Sequence, residues 1–283
     1  MTEPDPIALL PPLREAIKAA GLSAKKSLGQ NFLLDLNIAR RITRAAGPLK
    51  GITVLEIGPG PGGLTRALLL EGAARVIAIE RDERFRSTLA HLEECSGGRL
   101  RVVFRDALQI DYEALAAQEK VERVVANLPY NIATPLILGW LTAELWPPWF
   151  DKLVVMVQRE VGERFIAAPG TKSYGRLAVL AQYQGRPRIL FTLPPSVFVP
   201  PPKVSSALVE FTPRIEPGAV PIRLLEKVTA AAFGQRRKML RSSLAGLSQN
   251  AAALLRNAGI DPSRRAEELS VEEFASLAAI LAR

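Results

Sequence analysis

Two short runs hold the residue types that can do chemistry. The first is Glu56-Ile57-Gly58-Pro59-Gly60-Pro61-Gly62-Gly63, and the second, about 70 residues later, is Asn127-Leu128-Pro129-Tyr130. Gly58, Gly60 and Gly63 have the G-x-G-x-x-G spacing that lets a backbone turn sharply and approach a nucleotide-sized ligand without Cβ clashes. That spacing alone also fits dinucleotide-binding folds. Three carboxylates favour a cationic methyl donor, S-adenosylmethionine, over NAD. Glu56 precedes the glycines, where it can face a sulfonium. Glu80 stands 22 residues after Gly58, where it can accept from ribose hydroxyls. Asp106 can accept from an adenine amine or cap a helix. Pro59 and Pro61 remove amides that a pyrophosphate would use as donors.

The second run suits an amine acceptor. The exocyclic nitrogen of adenine is a poor nucleophile because its lone pair is delocalised into the ring. Two hydrogen-bond acceptors on its hydrogens favour a pyramidal nitrogen, and the Asn127 side-chain oxygen and the Pro129 carbonyl are the expected pair. Tyr130 offers a flat face for stacking. Phe198, in the stiff run Leu193 to Lys203, either stacks on the other face or anchors the core. Read together, the two runs predict methylation of a nucleobase amine. Such a base must be single-stranded or flipped out. Other chemistries lack their groups. His91 is the sole histidine and Cys95 the sole cysteine. A disulfide framework, a thiolate zinc site and any other metal cluster are therefore not expected.

The elements that must position these runs follow from periodicity. Residues 7–20 and 35–46 have helical spacing, with Gly47-Pro48 ending the second stretch. The chain then alternates. Strands are expected at 53–57, 75–80, 100–104, 123–126 and 152–157, with two more at 189–191 and 207–211. Seven strands with interleaved helices predict an α/β doubly wound, mostly parallel sheet. The proline-rich run before Lys203 is read as a stiff surface segment. After Pro213 the pattern is helical. The expected division is therefore 1–213, with a helical lead over 1–30, and an all-helical domain over 214–283.

Charge adds a partner class. The chain has 37 Lys+Arg against 28 Asp+Glu, a formal net charge of +9. Residues 186–283 hold 14 of those bases against 8 acids, an excess of +6. A bias of that size points to a polyanion. The run Arg236-Arg237-Lys238…Arg241 and the pair Lys25-Lys26 are the expected RNA contacts. Arg236 to Arg241 can also be read as the solvated face of a packed helix, with RNA contact the favoured reading. The start, Met1-Thr2-Glu3-Pro4-Asp5-Pro6, has no basic-then-apolar signal pattern. No apolar run reaches the roughly 18 residues of a membrane span. A cytoplasmic monomer is expected, with no membrane partner.

The motifs together resemble the ribosomal RNA adenine dimethyltransferases that act on the small subunit. The resemblance rests on Leu28-Gly29-Gln30-Asn31-Phe32-Leu33, the Glu56 to Gly60 run, Asn127 to Ile132, Pro200 to Ala207, Phe233 to Leu240 and Arg265 to Ser270, in that order. It implies a Rossmann-like methyltransferase sheet with a small C-terminal helical domain, and S-adenosylmethionine as cofactor. It implies dimethylation of two neighbouring adenosines in the 3′-terminal hairpin loop of 16S rRNA, with a role in small-subunit biogenesis. The donor contacts it implies fall on Asn31, Leu33, Gly58, Glu80, Asp106 and Asn127, and Gln30, Glu56, Gly60, Arg81 and Ala107 are expected at the same cofactor site. Two other readings share these features: an adenine methyltransferase of large-subunit RNA, and a ribosome-assembly checkpoint that binds an immature subunit and leaves after methylation.

Overall fold

A computed structural model describes residues 4–25, 28–216 and 218–282. Its strands are β1 (Phe32–Leu33), β2 (Thr53–Ile57), β3 (Arg75–Glu80), β4 (Leu100–Phe104), β5 (Arg123–Asn127), β6 (Lys152–Gln158), β7 (Gly185–Leu193), β8 (Phe198–Val199) and β9 (Ser206–Pro213). The helices begin with α1 (Leu13–Ala19), α2 (Leu36–Ala45), α3 (Gly63–Leu70), α4 (Arg86–Cys95), α5 (Tyr112–Glu119) and α6 (Tyr130–Leu141). They continue with α7 (Arg159–Ile166), α8 (Arg176–Gln184), α9 (Ile222–Gly234), α10 (Leu240–Ser243), α11 (Ala251–Asn257) and α12 (Val271–Leu281).

Seven strands form one mixed sheet in the order β4-β3-β2-β5-β6-β9-β7. The pairs β2–β3, β2–β5, β3–β4 and β5–β6 are parallel. The chain runs outward from β2 through β3 to β4, then returns to the other side of β2 as β5. That reversal opens a crevice beyond the carboxyl ends of β2 and β5, where ligands bind in open α/β sheets. The central strands are apolar along their length because both sheet faces are covered. Val54, Leu55, Val76, Ile77, Val124, Val125, Leu153 and Val154 are fully buried. Each such side chain contributes about 1.5–3 kcal/mol of burial free energy.

Contacts divide the described chain into two compact units. The first comprises residues up to Leu136, Trp149–Arg159 and Ile189–Glu210. The second comprises Ile137–Pro148, Glu160–Arg188 and Phe211 onward. The second unit has its own core, with Tyr174, Leu225, Val228, Leu255, Phe274 and Leu277 buried together. Its last helix, α12, starts from a capping box. The Glu273 amide donates to Ser270 Oγ at 3.1 Å, and the Ser270 amide donates to Glu273 Oε2 at 2.7 Å.

Three local expectations change. The helix expected over 7–20 is broken: a 3-10 turn covers Pro6–Leu9, and α1 begins only after Pro11-Pro12. Proline lacks the amide and blocks the preceding residue from helical geometry. The proline-rich run is not wholly a surface segment. Its residues 198–199 form β8, antiparallel to β1, with Phe32 opposite Val199 and Leu33 opposite Phe198. Finally, Gln235 to Lys238 are turn and bend rather than helix, lying between the end of α9 and the start of α10.

Candidate active site

At the carboxyl ends of β2 to β5 lies a cavity with about 950 Å³ of open space. Its walls come from residues 28–33, the glycine loop, the ends of β3 and β4, and residues 127–132. All of these belong to the first unit.

The glycine loop follows β2 because its backbone demands glycine. Gly58 and Gly60 have φ of +69° and +53°, which side chains other than glycine adopt at a cost. A Cβ on Gly60 would stand 3.3 Å from the Phe32 ring. The Gly60 amide donates to Glu80 Oε2 at 2.9 Å. The amides of Arg81 and Asp82 donate to Glu80 Oε1 at 2.8 and 2.7 Å. The carboxylate at the end of β3 thus aims into the cavity by three backbone bonds. Burial pushes its pKa up, and those three amides oppose the shift.

Glu56 lines the same cavity and is 1% exposed. Burial pushes its carboxyl up to about 8, and the nearby Glu80 charge adds to the rise. The Thr65 hydroxyl, from the first turn of α3, donates to Glu56 Oε2 at 2.7 Å and partly opposes it. Among the described residues no basic side chain pairs with Glu56. A buried acid facing an open cavity without a cation is suited to a positively charged ligand.

The other residues expected to contact the donor line the same cavity, each with a structural tie. Gln30 Nε2 donates to Asp82 Oδ2 at 2.9 Å, and Gln30 Oε1 accepts the Lys25 amide at 2.8 Å. Asn31 donates to the Gly29 carbonyl, and the Asn31 carbonyl accepts Asn127 Nδ2 at 3.1 Å. Leu33 is buried in β1, and Ala107 is buried at the cavity edge. Asp106 lines the cavity and also caps the turn after β4: Oδ1 accepts the Leu108 amide at 3.0 Å, while Arg81 Nη1 lies 3.2 Å from Oδ2.

On the acceptor side Asn127 ends β5. Its amide nitrogen is engaged by Asn31, so its Oδ1 is the group left to accept. Two expectations are corrected here. The Pro129 carbonyl accepts the amides of Ile132 and Ala133, both at 3.1 Å, as the opening carbonyl of α6. Both lone pairs are used, so it cannot also bind an amine. The Leu128 carbonyl, one residue earlier, takes no hydrogen bond from the described residues, and Leu128 is among the residues that line the cavity. Phe198 is the second correction. It is 1% exposed, packs in the core with Leu33, Val54 and Leu193, and does not line the cavity. A ring held there by β8 anchors the core and cannot stack on a base. Tyr130 does line the cavity, and its hydroxyl lies 2.6 Å from Ser206 Oγ.

The expected RNA contacts are placed unevenly. Lys25 is exposed in the first unit, and Lys26 lies outside the described residues. In the second unit Arg236 Nε donates to Glu267 Oε2 at 2.8 Å. Arg237, Lys238 and Arg241 are exposed. Thr65 and Leu128 were not anticipated. The hydroxyl three residues past Gly62, in the first turn of α3, was a usable signal for Thr65. For Leu128 nothing in the sequence marked the carbonyl. Among the described residues there is no group of three or more metal-ligating side chains. None of their helices is long and apolar enough to cross a membrane.

Comparisons with known proteins give the family and the fold. The family model for ribosomal RNA adenine dimethylase matches residues 21–283. A ribosomal RNA small subunit methyltransferase A from Xanthobacter autotrophicus is 59% identical, over 95% of this chain and 93% of that one. Its namesake from Rhodopseudomonas palustris is 56% identical, over 96% and 95%. Among solved structures, a dimethyladenosine transferase from Plasmodium falciparum superposes with a TM-score of 0.71 at 25% identity, over 86% of this chain and 94% of that one. The 23S rRNA methyltransferase ErmE superposes with a TM-score of 0.62 at 25% identity, over 89% and 100%. The Rossmann-like sheet is the fold of these methyltransferases.

Proposed function

The chain belongs to the ribosomal RNA adenine dimethylase family, and from that premise we propose that it uses S-adenosylmethionine to dimethylate two adjacent adenosines in the 3′-terminal hairpin loop of small-subunit (16S) rRNA. The observation that carries this reading is the convergence of Glu56, Glu80 and Asn127 on one cavity at the sheet's switch point. The residues fit the cofactor on their own terms. Glu56 is a buried carboxylate with a cavity face and no cation among the described residues. Glu80 is held by three amides with its carboxylate turned inward. The glycine loop leaves space that a Cβ would narrow. In this reading Glu56 complements the donor's positive charge, Glu80 accepts from ribose, and Asp106 accepts from adenine while keeping its cap.

When bound, S-adenosylmethionine supplies an activated methyl group, so the protein needs no strong base. Asn127 Oδ1 and the Leu128 carbonyl accept the hydrogens of the target amine and localise its lone pair. Tyr130 stacks on the base and sets the approach angle for in-line transfer. The second transfer starts from a secondary amine with a single hydrogen, so one of the two acceptors then faces a methyl group.

Small-subunit rRNA is favoured over large-subunit rRNA by degree of relatedness. The relatives at 56–59% identity carry the small-subunit name, whereas ErmE stands at 25%. The partner is the small ribosomal subunit, met in the cytoplasm by a monomeric enzyme that also acts in subunit biogenesis.

The test is methyl transfer to small subunits lacking the modification, read by mass spectrometry of digested rRNA. Dimethyladenosine in the 3′-terminal hairpin is expected. Asn127→Ala should lower the rate by about 10²-fold or more, the scale of losing a transition-state acceptor, with donor binding changed far less. Transfer to naked large-subunit RNA instead would reject the substrate. Normal subunit assembly with Asn127→Ala would make binding, not methylation, the primary role in biogenesis.

A further inference from the structure

We propose that Ser206, the first residue of β9, is a positioning residue that holds the Tyr130 ring in place for the acceptor base. The inference rests on the reaction proposed above and extends it to a residue outside the cavity wall. The Tyr130 hydroxyl and Ser206 Oγ are 2.6 Å apart, a short and well-formed O–H···O contact. Ser206 is 0% exposed, so its side of the contact is shielded from water. Its own backbone is fixed inside the sheet: β9 lies between β6 and β7, and the neighbouring Ser205 carbonyl accepts the Arg159 amide at 2.9 Å.

Tyr130 needs such an anchor. It is the first residue of α6, at the junction where Pro129 ends the loop, and its ring is only half-buried beside the open cavity. Packing on one side leaves the side-chain torsions free to swing the ring's far end. A hydrogen bond at the hydroxyl tip, the point farthest from the backbone, restrains χ1 with the longest lever, and the in-plane preference of the phenolic hydrogen lets the same bond favour one ring plane. A ring fixed in plane stacks a base at one angle, and in-line transfer depends on that angle. Burial raises the Tyr130 pKa and the Ser206 contact opposes it, so the phenol stays neutral at physiological pH and keeps its proton for this bond.

The experiment is a double-mutant cycle on the full-length protein with unmodified small subunits. Ser206→Ala and Tyr130→Phe should each lower kcat by about tenfold, as a small loss of orientation does. KM for the subunit should stay within about twofold, because phosphate contacts dominate RNA affinity. The double variant should be no worse than either single one. Ser206→Thr, which keeps the hydroxyl, should recover most of kcat. A fully active Ser206→Ala with unchanged thermal stability overturns the proposal, as do single effects that multiply in the double variant. Should Ser206→Ala fail to fold, full kcat in Tyr130→Phe overturns it and a tenfold loss there supports it. A wild-type protein that does not methylate the subunit defeats the proposed function instead, so the two failures are distinct.

Discussion

Glu56 shows how one residue ties site chemistry to stability. Its ordinary pKa of 4.5 is raised to about 8 by burial. Between those two values the unfolded chain is ionised at this position while the folded chain holds the proton. Stability from this group is therefore fully present below 4.5 and is lost as pH rises through about 8. Glu80 is shifted in the same direction and adds to the trend. Thermal melts of the cofactor-free protein should show a falling Tm from about pH 5 to pH 8. Glu56→Gln should flatten most of that slope and raise the Tm at pH 8, while weakening donor binding measured by calorimetry. A slope that survives Glu56→Gln intact would show that the carboxyl titrates normally. The same environment suits the proposed donor: a cation entering beside Glu56 favours the ionised form that burial disfavours.

At the scale of elements, the close approach of α3 and β1 shapes one wall of the cavity. Gly63 opens α3, and a Cβ there would stand 2.2 Å from the Leu33 carbonyl oxygen, a backbone atom that cannot swing aside. Gly63→Ala should therefore push α3 and β1 apart. The expected cost is about 1–3 kcal/mol, the range for overpacking, with a matching loss of donor affinity, read by urea melts and a binding titration. Gly139, inside α6, is the control. A Cβ there meets nothing within 4 Å. Gly139→Ala should be neutral or stabilise by up to about 1 kcal/mol, the helix-propensity difference. Elements also explain the two site corrections. The Pro129 carbonyl is consumed because α6 starts immediately after it, and Phe198 is buried because β8 pairs with β1.

For the whole molecule, the question is how the net charge of +9 meets RNA. Not every base in the expected basic run is available. Arg236 is paired with Glu267, whereas Arg237, Lys238 and Arg241 are exposed around the turn between α9 and α10. Replacing both Arg237 and Lys238 by alanine should weaken binding to the small subunit and reduce the slope of log affinity against log salt by about 2, roughly one per phosphate contact removed. Arg236→Ala should change that slope little and lower stability instead. Fluorescence titrations between low and moderate salt measure both. An unchanged slope in the double variant would remove this turn from the RNA interface.

The sequence by itself determined the chemistry and the class of fold. Glycines at fixed spacing, acids at the ends of β-branched runs, and Asn-Leu-Pro-Tyr after the fourth expected strand are local patterns. Each depends on neighbours within a few residues, so they can be read in one dimension. The alternation of strand and helix likewise placed all seven strands of the main sheet. What only the tertiary structure decided depends on partners far along the chain. Asn127 is oriented by Asn31, 96 residues away, and Tyr130 is held by Ser206, 76 residues away. The carbonyl left without a hydrogen bond among the described residues is that of Leu128 rather than Pro129, because helix formation has already claimed the latter. Phe198 went to the core because pairing with β1 buried it. Residue types fix which groups can react; which of their lone pairs and faces remain free is fixed by what else the folded chain has already bonded or covered.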